Sequence, residues 1–324
     1  MKKILIIRLS SLGDIVHTFP MVQDIKENIP NCKIDWLVDQ SFAKLVKLNS
    51  NIDNVIEIPL RLWKKNKIFM LSQFFSWKKH ITNKDYDYII DSQGLMKSAI
   101  FTKIFNGNSY GYDRRSAKEG ISSYFYKYKY KVDRNLLAIT KSRLLAQAIF
   151  DYKLNLNRVN FGEVNIKNQL NQLVKPYVIF FHATSRDDKK CSQEYWVSLA
   201  NYLIESKDLK VVLPYGSDKE YKEACQIRDK VKNKQNIIIP SKIYDYEEVA
   251  LLIRDAEFVF GVDTGLIHLA NALNKQLIAI YITTNPETTG VFESQIAKNI
   301  NLDGSISGLD ITIKLYEKIA KGIN

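Results

Sequence analysis

Short apolar runs alternate with stretches of helical periodicity twice along this 324-residue chain, and that rhythm narrows its fold more than any other feature. In the first half the runs cover residues 2–7, 33–38, 54–58 and 86–91. In the second they cover 177–182, 210–214, 236–239, 258–260 and 277–281. Apolar runs of this length, each followed by a helix, imply parallel strands with crossover connections. Two such series read as an α/β protein with two doubly wound, Rossmann-like parallel-sheet domains, 1–168 and 169–324. The polar, Asn-rich stretch 151–171 is the linker candidate, and a closing helix at about 309–320 can pack back on the first domain. Right-handed crossovers put the strand carboxyl ends of each domain on one edge, where open sheets bind ligands. If the two edges face a common cleft, it holds a nucleotide on one side and an acceptor on the other.

The residues at those edges carry the chemistry. After the first strand comes Leu9-Ser10-Ser11-Leu12-Gly13-Asp14, a small-residue turn ending in a carboxylate. It is neither GxGxxG nor a P-loop, so a nicotinamide or Walker site is not indicated. Asp14 reads either as a helix N-terminal residue or as a general base facing a cleft. Gln93 follows the strand at 86–91. In the second half the loop after the strand at 177–182 carries Thr184, Ser185 and Lys189, hydroxyls and a cation suited to phosphate. The stretch 257–272, EFVFGVDTGLIHLANA, reads as a strand broken at Gly261, a turn Asp263-Thr264-Gly265, and a helix with His268 one turn beyond Thr264. Free N–H groups and the helix dipole at such a turn bind anions, most simply the diphosphate of a nucleotide-sugar. An ordinary capped βα unit has the same signature.

The net charge of +12 is unevenly placed. Residues 1–168 hold 28 Lys and Arg against 15 Asp and Glu; the remainder hold 19 against 20. A basic first half suits an acidic partner: nucleic acid, an anionic membrane surface or a phosphorylated substrate. Residues 63–81 interleave Trp63, Phe69, Phe74, Phe75 and Trp77 with basic side chains, a pattern shared by stacking surfaces, membrane-surface helices and helices with a buried aromatic face. Residues 107–130 read as a loop and short helix presenting Arg114, Arg115 and Lys118. Three scattered cysteines, Cys32, Cys191 and Cys225, argue against a disulfide frame and a structural zinc site. No apolar run spans a bilayer, and the first apolar run is too short for a signal peptide, so a cytoplasmic protein is expected.

Taken together, SSLGDIVHTFP (10–20), DSQGLMKSA (91–99), HATSRDDK (182–189), LPYG followed by Glu220, and VDTGLIHLA (262–270) resemble the ADP-heptose transferases of lipopolysaccharide inner-core synthesis, glycosyltransferase family 9, along nearly the whole chain. The resemblance implies the GT-B architecture and transfer of L-glycero-D-manno-heptose from ADP-heptose to Kdo of Kdo-lipid A, with inversion. It implies Asp14 as catalytic base. It places Thr184, Ser185, Lys189, Glu220, Asp263, Thr264, Gly265 and His268 at the donor, with Glu220 on the ribose. The expected acceptor contacts are Ser11, Gly13, Gln93, Arg61, Lys64, Arg114, Arg115 and Lys118. No metal or other cofactor and no nucleic acid are expected. The chain is expected to be a monomer, peripheral on the cytoplasmic face of the inner membrane. Three positions depart from the family pattern: Cys191-Ser192 where Trp-Pro is usual, Lys118 where Arg is common, and Leu137 in place of a histidine. The alternatives are a transferase adding the second heptose, and a non-catalytic polyanion-binding protein.

Overall fold

The computed structural model describes residues 1–65, 70–81, 84–166 and 176–322. They form two compact units, Met1–Asn165 and Ile166–Asn324. In the first, six strands β1 (Lys2–Ile7), β2 (Cys32–Asp39), β3 (Asn54–Ile58), β4 (Asp85–Asp91), β5 (Asn106–Tyr112) and β6 (Tyr128–Tyr130) make one sheet in the order β3-β2-β1-β4-β5-β6. All its pairings are parallel. The chain first winds outward from β1 to β3, then returns to the other side of β1 with β4. Ligands bind at such a reversal. Ile7 pairs with both Leu37 and Asp91, so β1 and its neighbours share one carboxyl edge at this point.

Strands β5 and β6 replace the loop and short helix expected over 107–130; only a 3-10 turn, Gly120–Phe125, lies between them. Their sequences, NGNSYGY and YKY, lack the apolar run that marks a central strand. They hold through aromatic cover instead: the Tyr110 and Tyr128 rings stack at 4.9 Å. The Tyr126 ring lies so close over Gly111 that a Cβ there would come within 2.5 Å of it.

The aromatic segment resolves toward the core. Trp63, on helix Leu60–Lys65, is buried and meets Phe74 and Trp77 of helix Met70–Ile81 edge-on at 5.8 and 5.9 Å. Trp77 in turn meets Phe101 at 5.9 Å and donates its indole N–H to the Glu57 carbonyl at 2.7 Å. These rings are packing, not a stacking platform; Leu62 and Phe75 are exposed. Phe69 lies outside the described residues.

Two helices of this unit are joined by a buried ion pair. Arg143 of helix Ala138–Phe150 donates to both Asp24 oxygens, at 2.7 and 3.1 Å, on helix Phe19–Asn28. The polar stretch beyond that helix returns to this unit: Val164 bridges Asn49, and the Asn165 amide bonds the Leu48 carbonyl at 2.7 Å.

The second unit repeats the plan with β7 (Tyr177–Phe181), β8 (Lys210–Val212), β9 (Ile237–Ile238), β10 (Phe258–Val262), β11 (Leu277–Tyr281) and β12 (Ala297–Asn301), ordered β12-β11-β10-β7-β8-β9 and parallel throughout. Edge strand β12, AKNIN, is too polar to announce itself. Gly261 does not break β10 but lies inside it. A Cβ at Gly261 would stand 3.0 Å from Phe181 Cβ and 3.1 Å from Ile267, so the glycine admits close approach of the neighbouring strand and the following helix. Phe180, Trp196, Phe258 and Phe260 fill the core, and the closing helix Leu309–Ala320 buries Tyr316 and Ile319 in it.

Candidate active site

In the first unit the β1 edge positions a carboxylate. Ser11 caps the helix Leu12–Val16, and Asp14 is its third residue. The two form a capping box: Asp14 Oδ2 accepts from the Ser11 amide at 3.2 Å and from the Ser11 hydroxyl at 3.0 Å. Asp14 Oδ1 is paired with Arg8 Nη2 at 2.7 Å, while Arg8 Nη1 donates to the Ser92 carbonyl. Burial would raise the Asp14 carboxyl, but Arg8, then His17, the Ser11 amide and Lys118 outweigh it and hold it well below the usual carboxylate range. Asp14 is therefore ionised, and its side chain is still 31% exposed.

The β4 edge completes this end. The Leu9 amide donates to Gln93 Oε1 at 2.9 Å, and Lys97 donates to Ser10 Oγ at 3.0 Å. Beneath them lies Asp91, fully buried, accepting from the Gln93 and Gly94 amides at 2.8 and 3.2 Å, Ser98 at 2.8 Å and Tyr126 at 2.7 Å. Burial pushes the Asp91 carboxyl up. Its four donors tie the Gln93-Gly94 turn to β4 and to the aromatic cover of β5.

Of the expected acceptor residues, Ser11, Gly13 and Gln93 belong to this edge, and the charge of Lys118 reaches Asp14. Arg61 lies over the Phe42 ring at 5.0 Å and 3.9 Å from Asp39, with its side chain exposed. Arg114 and Arg115 are exposed on the turn after β5. The Lys64 side chain lies outside the described residues. Arg8 was not singled out from the sequence. Its signal was a charge at the end of an apolar strand, beside a turn ending in a carboxylate.

In the second unit Thr264 caps helix Gly265–Ala272, with extended backbone and no side-chain cap bond. The Ile267 amide bonds the Thr264 carbonyl at 3.2 Å, so the Gly265 and Leu266 N–H groups and the Thr264 hydroxyl remain for an anion. Asp263 anchors the turn. Its carbonyl accepts from Thr184 at 2.9 Å, and its Oδ2 accepts from Lys189 at 2.6 Å and Thr284 at 2.7 Å. Thr284, on the loop after β11, also escaped the sequence reading; a hydroxyl in a Thr-Thr-Asn-Pro turn at a strand end was its only mark. Ser185 is exposed beside Thr184. Glu220 sits in the first turn of helix Asp218–Lys230 and accepts from the Gly216 amide at 2.6 Å. Its carbonyl meets His182 Nε2 at 3.3 Å, linking the Thr184 loop to the Glu220 helix. Burial holds the His182 imidazole below its ordinary value. His268 is buried on helix Gly265–Ala272. Among the described residues no group of three or more His, Cys, Asp or Glu is arranged to hold a metal ion. No described helix is long and apolar enough to cross a membrane.

Two parallel doubly wound sheets, one with a carboxylate and the other with an anion cradle at a strand edge, have the GT-B architecture of glycosyltransferases. Residues 74–307 match the family described as glycosyltransferase family 9 (heptosyltransferase), and the chain belongs to that family. It is a glycosyltransferase. Lipopolysaccharide heptosyltransferase 1 of Salmonella typhimurium is 30% identical over 314 residues, 96% of this chain and 98% of the relative. E. coli heptosyltransferase WaaC, solved with ADP, superposes with a TM-score of 0.88 at 28% identity, covering 98% of this chain and 99% of that one. The same enzyme with ADP-2-deoxy-2-fluoro heptose gives 0.85 at 27% identity over 98% and 99%.

Proposed function

We propose that this chain transfers L-glycero-D-manno-heptose from ADP-heptose to a Kdo hydroxyl of Kdo-lipid A, with inversion, in assembly of the lipopolysaccharide inner core. The observation that carries this reading is the ionised Asp14 on the β1 edge. Asp14 takes the proton of the attacking hydroxyl as its oxygen bonds the anomeric carbon. The bond from that carbon to the β-phosphate oxygen breaks, and ADP leaves with the electron pair. Charge grows on the diphosphate as it departs. Ser185, Lys189 and the amides and hydroxyl at Thr264-Gly265 meet it as donors fixed in advance, Thr184 holds their turn through the Asp263 carbonyl, and Glu220 takes the ribose. Lys189 is shared with Asp263 in this structure, so its charge is already placed beside the cradle.

The acceptor is anionic and lipid-borne, which fits the basic first half and the exposed Leu62 and Phe75 beside it. In this reading the enzyme works as a monomer, peripheral on the cytoplasmic face of the inner membrane.

The test is transfer by purified protein from ADP-heptose to Kdo-lipid A, with product mass and ADP release followed. Heptosylated product establishes the reaction. Product formed only from an already heptosylated core reassigns the chain to the second heptose. ADP bound without transfer to either acceptor overturns the acceptor assignment, and absence of ADP binding overturns the cradle.

A further inference from the structure

Both Asp14 oxygens already have partners before any substrate is present, although the side chain is partly exposed. Oδ1 faces Arg8, and Oδ2 faces the amide and hydroxyl of Ser11. A sugar hydroxyl that gives up its proton must come within hydrogen-bond reach of one of these oxygens. The Ser11 contacts are local to the helix cap and cannot leave without undoing it. The Arg8 contact is a side chain reaching across from the end of β1, and it can.

We propose that Arg8 is a positioning residue that holds Asp14 in a resting state, and that an anionic group of the acceptor, a carboxylate or a phosphate, draws the guanidinium away and frees the base. The inference rests on the heptosyl-transfer reading of this same site. A guanidinium offers a planar fork that carboxylate and phosphate oxygens match. Arg8 Nη1 is spent on the Ser92 carbonyl, so the fork stays tethered while it turns. The setting favours an incoming anion. Lys97 reaches Ser10 from the helix after β4, Lys118 acts on Asp14 from the turn after β5, and Lys141 stands 5.5 Å over the Tyr112 ring. Burial, then Arg134, Arg8 and Lys118, lowers the proton affinity of Lys141. The other groups facing Asp14 are His17, on its own helix, and the Tyr112 hydroxyl of β5.

The experiment compares pH profiles with donor saturating. The acid limb of kcat/KM for the acceptor reports the enzyme before acceptor binds, and that of kcat the loaded complex. The limb of kcat should lie about one pH unit or more above that of kcat/KM, a tenfold or greater weakening of Asp14 acidity on loading. In Arg8→Met the two limbs should coincide at the higher position. Arg8→Lys, which keeps the charge and loses the fork, should separate them only in part. His17→Asn should leave the separation intact. Acceptors with amidated carboxylates or without phosphates identify the anion: the gap closes with whichever group draws Arg8. Coincident limbs in the wild type, or a gap that survives in Arg8→Met, overturn the proposal, as does a gap that survives both altered acceptors. A carbon-13 titration of the Asp14 carboxyl, assigned through Asp14→Asn, with and without Kdo-lipid A, reads the same shift without turnover. Failure of transfer would then be distinguishable from failure of the Arg8 inference.

Discussion

The two units share a topology and build their strand-edge sites from different materials. The first gathers side-chain charge from several places: Arg8 and Asp14 after β1, Lys97 after β4, Lys118 after β5. The second uses the backbone of one helix start, with hydroxyls from Thr184 and Thr284 bracing Asp263 beneath it. Side-chain charge suits a varied polyanion; fixed backbone dipoles suit one diphosphate presented the same way every time.

That contrast can be broken in order of expected effect. Asp14→Asn should cost roughly a hundredfold to ten-thousandfold in transfer rate while ADP affinity, measured by calorimetry, stays unchanged. If ADP affinity falls with it, the division of labour between the units is wrong. Arg143→Met should destabilise the first unit by about 3–5 kcal/mol in denaturant unfolding, because it strands the buried Asp24 carboxylate. The unfolding of the second unit should not move with it. Lys189→Met should lower kcat/KM for the donor by about a hundredfold with little change in acceptor KM, as loss of one donor to developing charge does.

Salt should separate the two sites more gently. Raising ionic strength from low to physiological should raise the acceptor KM several-fold and leave the donor KM nearly flat, since exposed charges are screened and backbone donors in a turn are not. A matching response of the two KM values would erase the distinction.

The smallest effect is acid sensitivity. His182 is buried and its imidazole is held below its unfolded value, so the unfolded chain binds more protons between the two. Its contribution to stability is full above the unfolded value of about 6.5 and is lost as pH falls from there toward the folded value. The melting midpoint of the second unit should therefore drop as pH falls below about 6.5, and His182→Gln should flatten that slope. Asp14 acts with the same sign lower on the scale: its folded value is depressed, so its contribution is full above the ordinary carboxylate range and is lost as pH falls through and below it.

What was legible in the sequence follows the same division. The second unit's cradle lies in one contiguous stretch, so strand, turn and helix announced it together. Asp14 was legible for the same reason, sitting in a turn directly after β1. Arg8 was not, because an ion pair between a strand end and a helix start is a fact of geometry, and nothing in the spacing separates it from a chance surface charge. Thr284 joins Asp263 from 21 residues away and was invisible on the same ground. Central strands were legible from their apolar runs. Edge strands β6 and β12 were not, because one neighbour and partial exposure permit polar sequences, and β5, paired on both sides, hid because NGNSYGY carries no apolar run. The aromatics of residues 63–81 admitted three readings, and burial of Trp63 against Phe74 and Trp77 chose among them.

Gly261 sets the height of the donor cradle above the sheet. With only a hydrogen between β10 and Ile267, the helix that carries the open amides rests at its lowest seat. A methyl at this position is a shim: it lifts the helix start while Asp263 stays pinned by Lys189 and Thr284. The turn would be levered open at one end and held at the other. In the proposed cradle the diphosphate would then meet amides that still exist but no longer point at one place, so a single carbon atom beneath the helix start acts on the alignment of the leaving group.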